Sequence, residues 1–171
     1  VYGNSKYLGE LAVQKYVEKY FIVRIAWVFG INGKNFINTM LNLGLTHDRL
    51  TVVSDQIGTP TYTYDLSRLL VDMAESDKYG IYHATNEGGY ISWYDFTVEI
   101  MKQAAKYNDK YSKVEVLPVG SDMYPAKAKR PSNSRMDKSK LKNQGFEPLP
   151  DWKDALSRYL QQKMEIENGT N

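Results

Sequence analysis

Phe21-Ile22-Val23-Arg24-Ile25-Ala26-Trp27-Val28-Phe29 is a near-continuous apolar run closed by Gly30. A half-buried strand alternates apolar and polar residues, and an amphipathic helix spaces its apolar residues three and four apart. A short unbroken run ending at a turn residue reads instead as a strand covered on both faces, as in a parallel sheet. Residues 2 to about 20, just before it, place Leu8, Leu11, Ala12, Lys15 and Tyr16 at helical spacing, with Glu10 and Glu18 facing out. Helix followed by buried strand is the rhythm of an α/β domain.

The rest of the chain keeps that rhythm. Asn32-Gly33-Lys34-Asn35 is a turn, and residues 36 to about 45 follow as an amphipathic helix. Leu50-Thr51-Val52-Val53 is a short strand that runs into the polar segment 54–61, read as a loop because Gly58 and Pro60 interrupt it. A helix over 64 to about 76 and a strand over 80–84 come next. Ser92 and Asp95 form a capping box for a helix beginning at Trp93. Val114–Pro118 is a strand, 123–136 is irregular, and a short helix over 139–144 is closed by Gly145. Asp151 caps a last helix to about Lys163, and 165–171 reads as a frayed tail.

Composition narrows the chemistry. Hydrophobic residues make up 42% of the 171 and charged residues 25%, ordinary globular material, and the net charge of +2 gives no reason to expect nucleic acid or an anionic membrane surface. There are no cysteines, so disulfides, thiolate catalysis and cysteine-held zinc are excluded. No apolar run approaches the roughly 20 residues a membrane span needs, and no signal segment is visible, so a cytoplasmic location is expected. His47 and His83 lack metal-like partners at close spacing and read as ordinary residues; no metal is expected.

The chemistry-bearing feature lies at the start. In Val1-Tyr2-Gly3-Asn4-Ser5-Lys6 a tyrosine and a lysine stand four apart on a helix and project from one face. That suits proton transfer to a carbonyl: the phenol is the acid, and the ammonium favours the phenolate left behind. Tyr-x-x-x-Lys recurs at Tyr159 and Lys163, late in an amphipathic helix, where it reads as a solvated face.

In order along the chain stand Tyr2-Gly3-Asn4-Ser5-Lys6 with Gly9-Glu10, Arg24-Ile25-Ala26-Trp27-Val28-Phe29-Gly30, Gly33-Lys34-Asn35-Phe36 with Thr39-Met40, Ser54-Asp55-Gln56-Ile57-Gly58-Thr59-Pro60-Thr61, Gly80-Ile81-Tyr82-His83, Ser92-Trp93-Tyr94, Arg130-Pro131-Ser132-Asn133-Ser134-Arg135 and Leu149-Pro150-Asp151-Trp152. With these motifs the chain resembles the extended short-chain dehydrogenase/reductases acting on nucleotide sugars, and within them the dTDP-4-dehydrorhamnose reductase family, over nearly all of residues 1–162.

The resemblance implies an α/β fold: the C-terminal part of an NAD(P)-binding Rossmann-type sheet plus a small α/β substrate-binding subdomain. Residues 1–31 would be the remnant of the Rossmann domain, 32–162 mainly the sugar-nucleotide subdomain, with 62–86 returning to the sheet, and 163–171 a tail. It implies hydride transfer from NADPH or NADH to C4 of a dTDP-4-keto-6-deoxy-L-hexose, giving dTDP-L-rhamnose. Tyr2 would protonate the alkoxide and Lys6 would hold the nicotinamide ribose. Ile25 and Ala26 would lie beside the nicotinamide. Trp27 would pack on the sugar ring, whose C–H faces are apolar, reading otherwise as a core aromatic on a buried strand. Asn35 and Phe36 would approach the nucleotide, Asn35 reading equally as an N-cap. Gln56 and Ser134 would touch the substrate, the Gln56 loop reading equally as a structural turn. Arg130 would take the diphosphate, which a guanidinium matches with paired hydrogen bonds.

The family's glycine-rich dinucleotide fingerprint does not occur in the chain, nor does its catalytic Ser or Thr upstream of the tyrosine. The expectation is therefore a C-terminal portion of a reductase, inactive alone, whose apolar 21–29 segment seeks another partner, with a homodimer as one outcome. Two other readings stay open. One is an epimerase or dehydratase on another nucleotide sugar. The other is a non-catalytic nucleotide-binding subunit like the regulatory subunit of methionine adenosyltransferase, against which intact Tyr2 and Lys6 argue.

Overall fold

The structure, a computed structural model, describes residues 2–123, 131–167 and 169 of the chain. Val1, Lys127, Lys129 and Arg130 lie outside the described residues. The order is α1 (Tyr2–Tyr16), β1 (Phe21–Arg24), β2 (Val28–Phe29), α2 (Phe36–Thr46), β3 (Arg49–Val53), β4 (Ile57–Gly58), β5 (Thr61–Tyr62), α3 (Thr63–Ala74), β6 (Gly80–His83), β7 (Ile91–Ser92), α4 (Trp93–Ala104), β8 (Glu115–Val119), α5 (Ser139–Asn143) and α6 (Trp152–Glu167).

Three strand pairs are parallel, each joined by a crossover that contains helix: β1 with β6, β2 with β5 and β3 with β8. The fourth, β4 with β7, is antiparallel and sets Ile57 opposite Ser92 and Gly58 opposite Ile91. The apolar 21–29 run is therefore not one strand buried on both faces. It breaks after Arg24 and resumes at Val28, and β1 is half-buried throughout. The cause is local. Trp27 has φ of 49°, the one positive φ on a non-glycine among the described residues, and this turns the chain between the two pairings.

Two apolar clusters make the core. The larger gathers Phe29, Ile37, Leu41, Tyr62, Phe96, Ile100, Trp152, Leu156 and Tyr159 from α2, α4, α6 and the strands they cover. The smaller joins Leu66, Leu69 and Met73 of α3 to Tyr82, Leu141 and Phe146, with Phe21, Val23 and Ile25 packed at its side. Helix α1 buries no residue; Tyr7 and Leu8 stay exposed. Its polar link to the rest, among the described residues, is a forked ion pair in which Arg24 Nε donates to Glu10 Oε1 at 2.8 Å while Nη2 takes the other oxygen.

Several local readings hold and several do not. Ser92 Oγ accepts from the Asp95 N–H, and the Asp95 carboxylate accepts from the Ser92 N–H, the capping box that starts α4. Gly145, with φ of 75°, follows α5. The segment 54–61 is not purely loop: it contributes β4 and β5, because backbone pairing with distant β7 and β2 supplies the hydrogen bonds that local sequence does not announce. Residues Glu165–Glu167 remain helical where a tail is expected, with a Lys163–Glu167 ion pair spanning the last turn. Tyr159 is no solvated residue; it is wholly buried. Its hydroxyl donates to Asn38 Oδ1 at 2.7 Å and accepts from Asn35 Nδ2 at 3.2 Å, and burial pushes its ionisation up.

Candidate functional site

Trp27 is the centre of the arrangement. Its carbonyl accepts from the Thr61 N–H at 3.2 Å, and the Ala26 carbonyl accepts from Thr61 Oγ1 at 2.6 Å, so β5 holds the turn that carries the indole. The indole stacks on Trp93 with ring centroids 3.6 Å apart and planes 13° from parallel. Trp93 leans in turn on Phe36, 4.4 Å away, and Phe36 stacks on Phe96. Helix α2 thus delivers Phe36 and helix α4 delivers Trp93 to the same aromatic group.

Two motif segments meet beside it. The Ile57 N–H donates to the Ser132 carbonyl at 2.9 Å, and the Ser134 N–H donates to the Ile57 carbonyl at 2.7 Å, so the 132–134 segment lies alongside β4 like an added strand. Gly58, the next residue of β4, lies against Trp27. Gln56, Trp27, Phe36 and Ser134, separate in sequence, are therefore brought to one region. The side chains of Gln56, Trp27 and Trp93 make no hydrogen bond with any described residue, which leaves one amide and two indole N–H groups for an oxygen-rich ligand.

Asp55 works differently from its neighbours. Its carboxylate accepts from the Ser121 N–H at 3.0 Å and hydroxyl at 2.9 Å, and these bonds hold its carboxyl below the ordinary aspartate range. It ties the loop after β3 to the turn after β8 instead of facing a ligand. Asn35 is likewise committed: its Oδ1 accepts the Asn38 N–H, and its Nδ2 donates to the Gly30 carbonyl and to Tyr159. The N-cap reading of Asn35 is the one its contacts fit, and its amide is not left for a nucleotide.

Tyr2 and Lys6 share one face of α1, with Lys6 Nζ 5.7 Å from the Tyr2 ring centroid, and Tyr2 is 78% exposed. Among the described residues no hydrogen bond or ring contact joins them to the Trp27 group. Ile25 and Ala26 follow β1 directly, at the carboxyl end of a parallel pair, where dinucleotides lie in open α/β sheets. Trp93 stands in the Ser92-Trp93-Tyr94 motif but receives no site role from the sequence; its signal is a large aromatic beside an N-cap. No group of three or more His, Cys, Asp or Glu placed to hold a metal occurs among the described residues, and no helix among them is long and apolar enough to cross a membrane.

Parallel strands joined through helices, with a Tyr/Lys pair on the helix ahead of β1, define a Rossmann-type α/β protein of the short-chain dehydrogenase/reductase kind. The family model described as RmlD substrate binding domain matches residues 1–165, and the chain belongs to that family. It is 38% identical to the spore coat polysaccharide biosynthesis protein SpsK of Bacillus subtilis (strain 168), over 95% of this chain and 54% of SpsK. It is 41% identical to a dTDP-4-dehydrorhamnose reductase of Aggregatibacter actinomycetemcomitans, over 91% of this chain and 55% of that protein. A crystal structure of dTDP-4-dehydrorhamnose reductase from Bacillus anthracis in complex with NADP superposes with a TM-score of 0.84 at 38% identity, covering 94% of this chain and 54% of that one. The chain spans about half the length of the curated relatives it matches.

Proposed function

We propose that this chain carries the catalytic pair and the sugar-nucleotide site of a dTDP-4-dehydrorhamnose reductase. The observation that carries the reading is the docking of 132–134 along β4, which gathers Gln56, Ser134 and Trp27 from three separate motifs. The substrate is a dTDP-4-dehydro-6-deoxy-L-mannose and the product dTDP-L-rhamnose, a precursor for cell-surface polysaccharide, made in the cytoplasm.

The residues present fit a nicotinamide dinucleotide. Tyr2 and Lys6 leave their polar ends on one exposed helical face, and Ile25 and Ala26 sit at the end of a parallel strand. When bound, the reduced nicotinamide supplies a hydride. Lys6 holds the ribose hydroxyls and keeps Tyr2 oriented. The Tyr2 hydroxyl gives its proton to the C4 oxygen as that carbonyl carbon gains the hydride, and the Lys6 ammonium stabilises the phenolate left on Tyr2. Gln56 and Ser134 orient the sugar, Phe36 lies toward the nucleotide, and Arg130 receives the diphosphate.

Residues 1–31 belong in this reading to the dinucleotide-binding unit, 32–162 mainly to the sugar-nucleotide unit, and 62–86 return to the first through β6. Strand β1, half-buried and paired with β6 in a two-stranded sheet, supports self-association as a homodimer through the 21–29 segment, which light scattering at high concentration reads directly; a monomer there rules it out.

Calorimetric titration with dTDP and, in parallel, UDP tests the site. Saturable binding that prefers dTDP and weakens in Arg130→Ala is the expected outcome. Equal affinity for both nucleotides, or no binding of either, contradicts it.

A further inference from the structure

We propose that Trp93 is a positioning residue of the sugar site, and that Trp27 meets the sugar with the edge and N–H of its indole while both of its faces stay covered. This rests on the sugar-nucleotide reading above. A Cβ built on Gly58 would stand 2.8 Å from Cε2, 3.0 Å from Cζ2 and 3.0 Å from Nε1 of Trp27. Near-equal distances to three consecutive ring atoms belong to a point above the ring; a point beside the ring edge would be nearest to Nε1 or Cζ2. Trp93 covers an indole face at 3.6 Å and nearly parallel, which leaves no room for Gly58 on that same side. The indole is therefore held between the Gly58 backbone and the Trp93 ring.

Trp93 is itself fixed. It follows Ser92, whose capping box sets the start of α4, and Phe36 and Phe96 pack against its ring. Ser92 faces Ile57 across the β4–β7 pair, so one step further along the same register lie Trp93 and Gln56. The left-handed backbone at Trp27 is a costly conformation that surrounding structure must enforce. Thr61 of β5 holds that backbone through its two hydrogen bonds, and the enclosing pair, Gly58 and Trp93, fixes the direction of the indole N–H. A polyhydroxylated ring offers oxygen acceptors to that N–H and to the Gln56 amide, which is the class of ligand the open donors suit.

Two stacked indoles whose transitions are neither parallel nor perpendicular couple them and give a paired positive and negative band in the far-ultraviolet circular dichroism. The 171-residue chain is expected to show that band, and Trp93→Phe and Trp27→Phe are each expected to abolish it; the third tryptophan, Trp152, packs edge-on against Phe96. The band is expected to persist when the chain is saturated with dTDP-L-rhamnose. In calorimetry Trp93→Leu should weaken dTDP-L-rhamnose roughly tenfold, the size of one lost or misdirected hydrogen bond, with dTDP affinity unchanged. Trp93→Phe should weaken it less, because it keeps a ring against Trp27. Persistence of the band in Trp93→Phe overturns the proposal. So does its collapse on saturation with dTDP-L-rhamnose, which would mean that the sugar takes the face of Trp27 that Trp93 had covered. So does an unchanged or tighter affinity for that sugar nucleotide in Trp93→Leu. Failure of the unmodified chain to bind dTDP defeats the function proposed above and this inference together, whereas normal dTDP binding with an unaltered sugar contribution defeats this inference alone.

Discussion

Gly58 shows how a single missing side chain shapes the site. Its backbone conformation is open to any residue, since its φ is not positive, so only the space above the Trp27 ring demands a glycine. Gly58→Ala is expected to cost about 1–3 kcal/mol, the usual range for overpacking a well-filled site, and to move the Trp27 emission. Adding Trp27→Leu should recover much of that loss, which paired urea denaturation curves would show. Asn35 and Tyr159 argue the same way from the opposite side. The N-cap at Asn35 was legible, because its position ahead of a helix and its side-chain chemistry are both local. Tyr159 was not: the eye stops at the lysine four residues on, while Leu156 and Leu160 beside it already mark the buried face of α6. The two indole N–H groups left without a partner among the described residues and the stacking of Trp93 on Trp27 could not be read at all, since they depend on pairings between β4 and β7 and between β2 and β5.

Among the elements, α1 is the least anchored. It buries no side chain and is tied to β1 by the Glu10–Arg24 fork, in which the hydrogen bonds from Arg24 hold the Glu10 carboxyl below the usual glutamate range. A carboxyl whose folded value is depressed contributes its stability at pH above the unfolded value, about 4.3, and loses it as pH falls through the folded value. The attachment of α1 is therefore full at neutral pH and weakens in acid, as pH falls from the unfolded value through the lowered folded one. Glu10→Gln is expected to reproduce that state at neutral pH: hydrogen exchange in 2–16 should quicken while exchange in α4 and α6 is unchanged. Equal protection of α1 in both proteins would show that the fork is not what holds it. Elements with strong local signals, α4 with its capping box and α5 with its closing glycine, were readable residue by residue. Strands two residues long were not, because nothing within two residues specifies a partner thirty positions away.

At the scale of the whole molecule, the two apolar clusters are joined by a polar knot. Asp65 of α3, nearly buried, accepts from both terminal nitrogens of Arg158 on α6 at 2.8 Å and from Asn86 Nδ2 at 2.8 Å. Asn86 Oδ1 accepts in turn from the Tyr62 N–H of β5. Breaking such a pair from one side strands a buried charge, so Arg158→Met is expected to cost about 3 kcal/mol. Asp65→Leu with Arg158→Met should cost less than the sum of the two single changes, a coupling that a double-mutant cycle in urea measures. Additive losses would show that the knot is not cooperative. Asp65 falls in the helix expected over 64 to about 76 and Arg158 in the last one, but their meeting depends on how both helices pack.

The chain crosses from the smaller cluster to the larger through three residues after β1, and the middle of that crossing is set by the torsion at Trp27. The peptide that hands the backbone from β6's partner to β5's partner is also the one that aims an indole. Slippage of one cluster against the other at that joint would swing the ring with it. Alignment of the two halves and aim of the ring are in this sense one mechanical coordinate, and the colour of Trp27's emission is its natural dial.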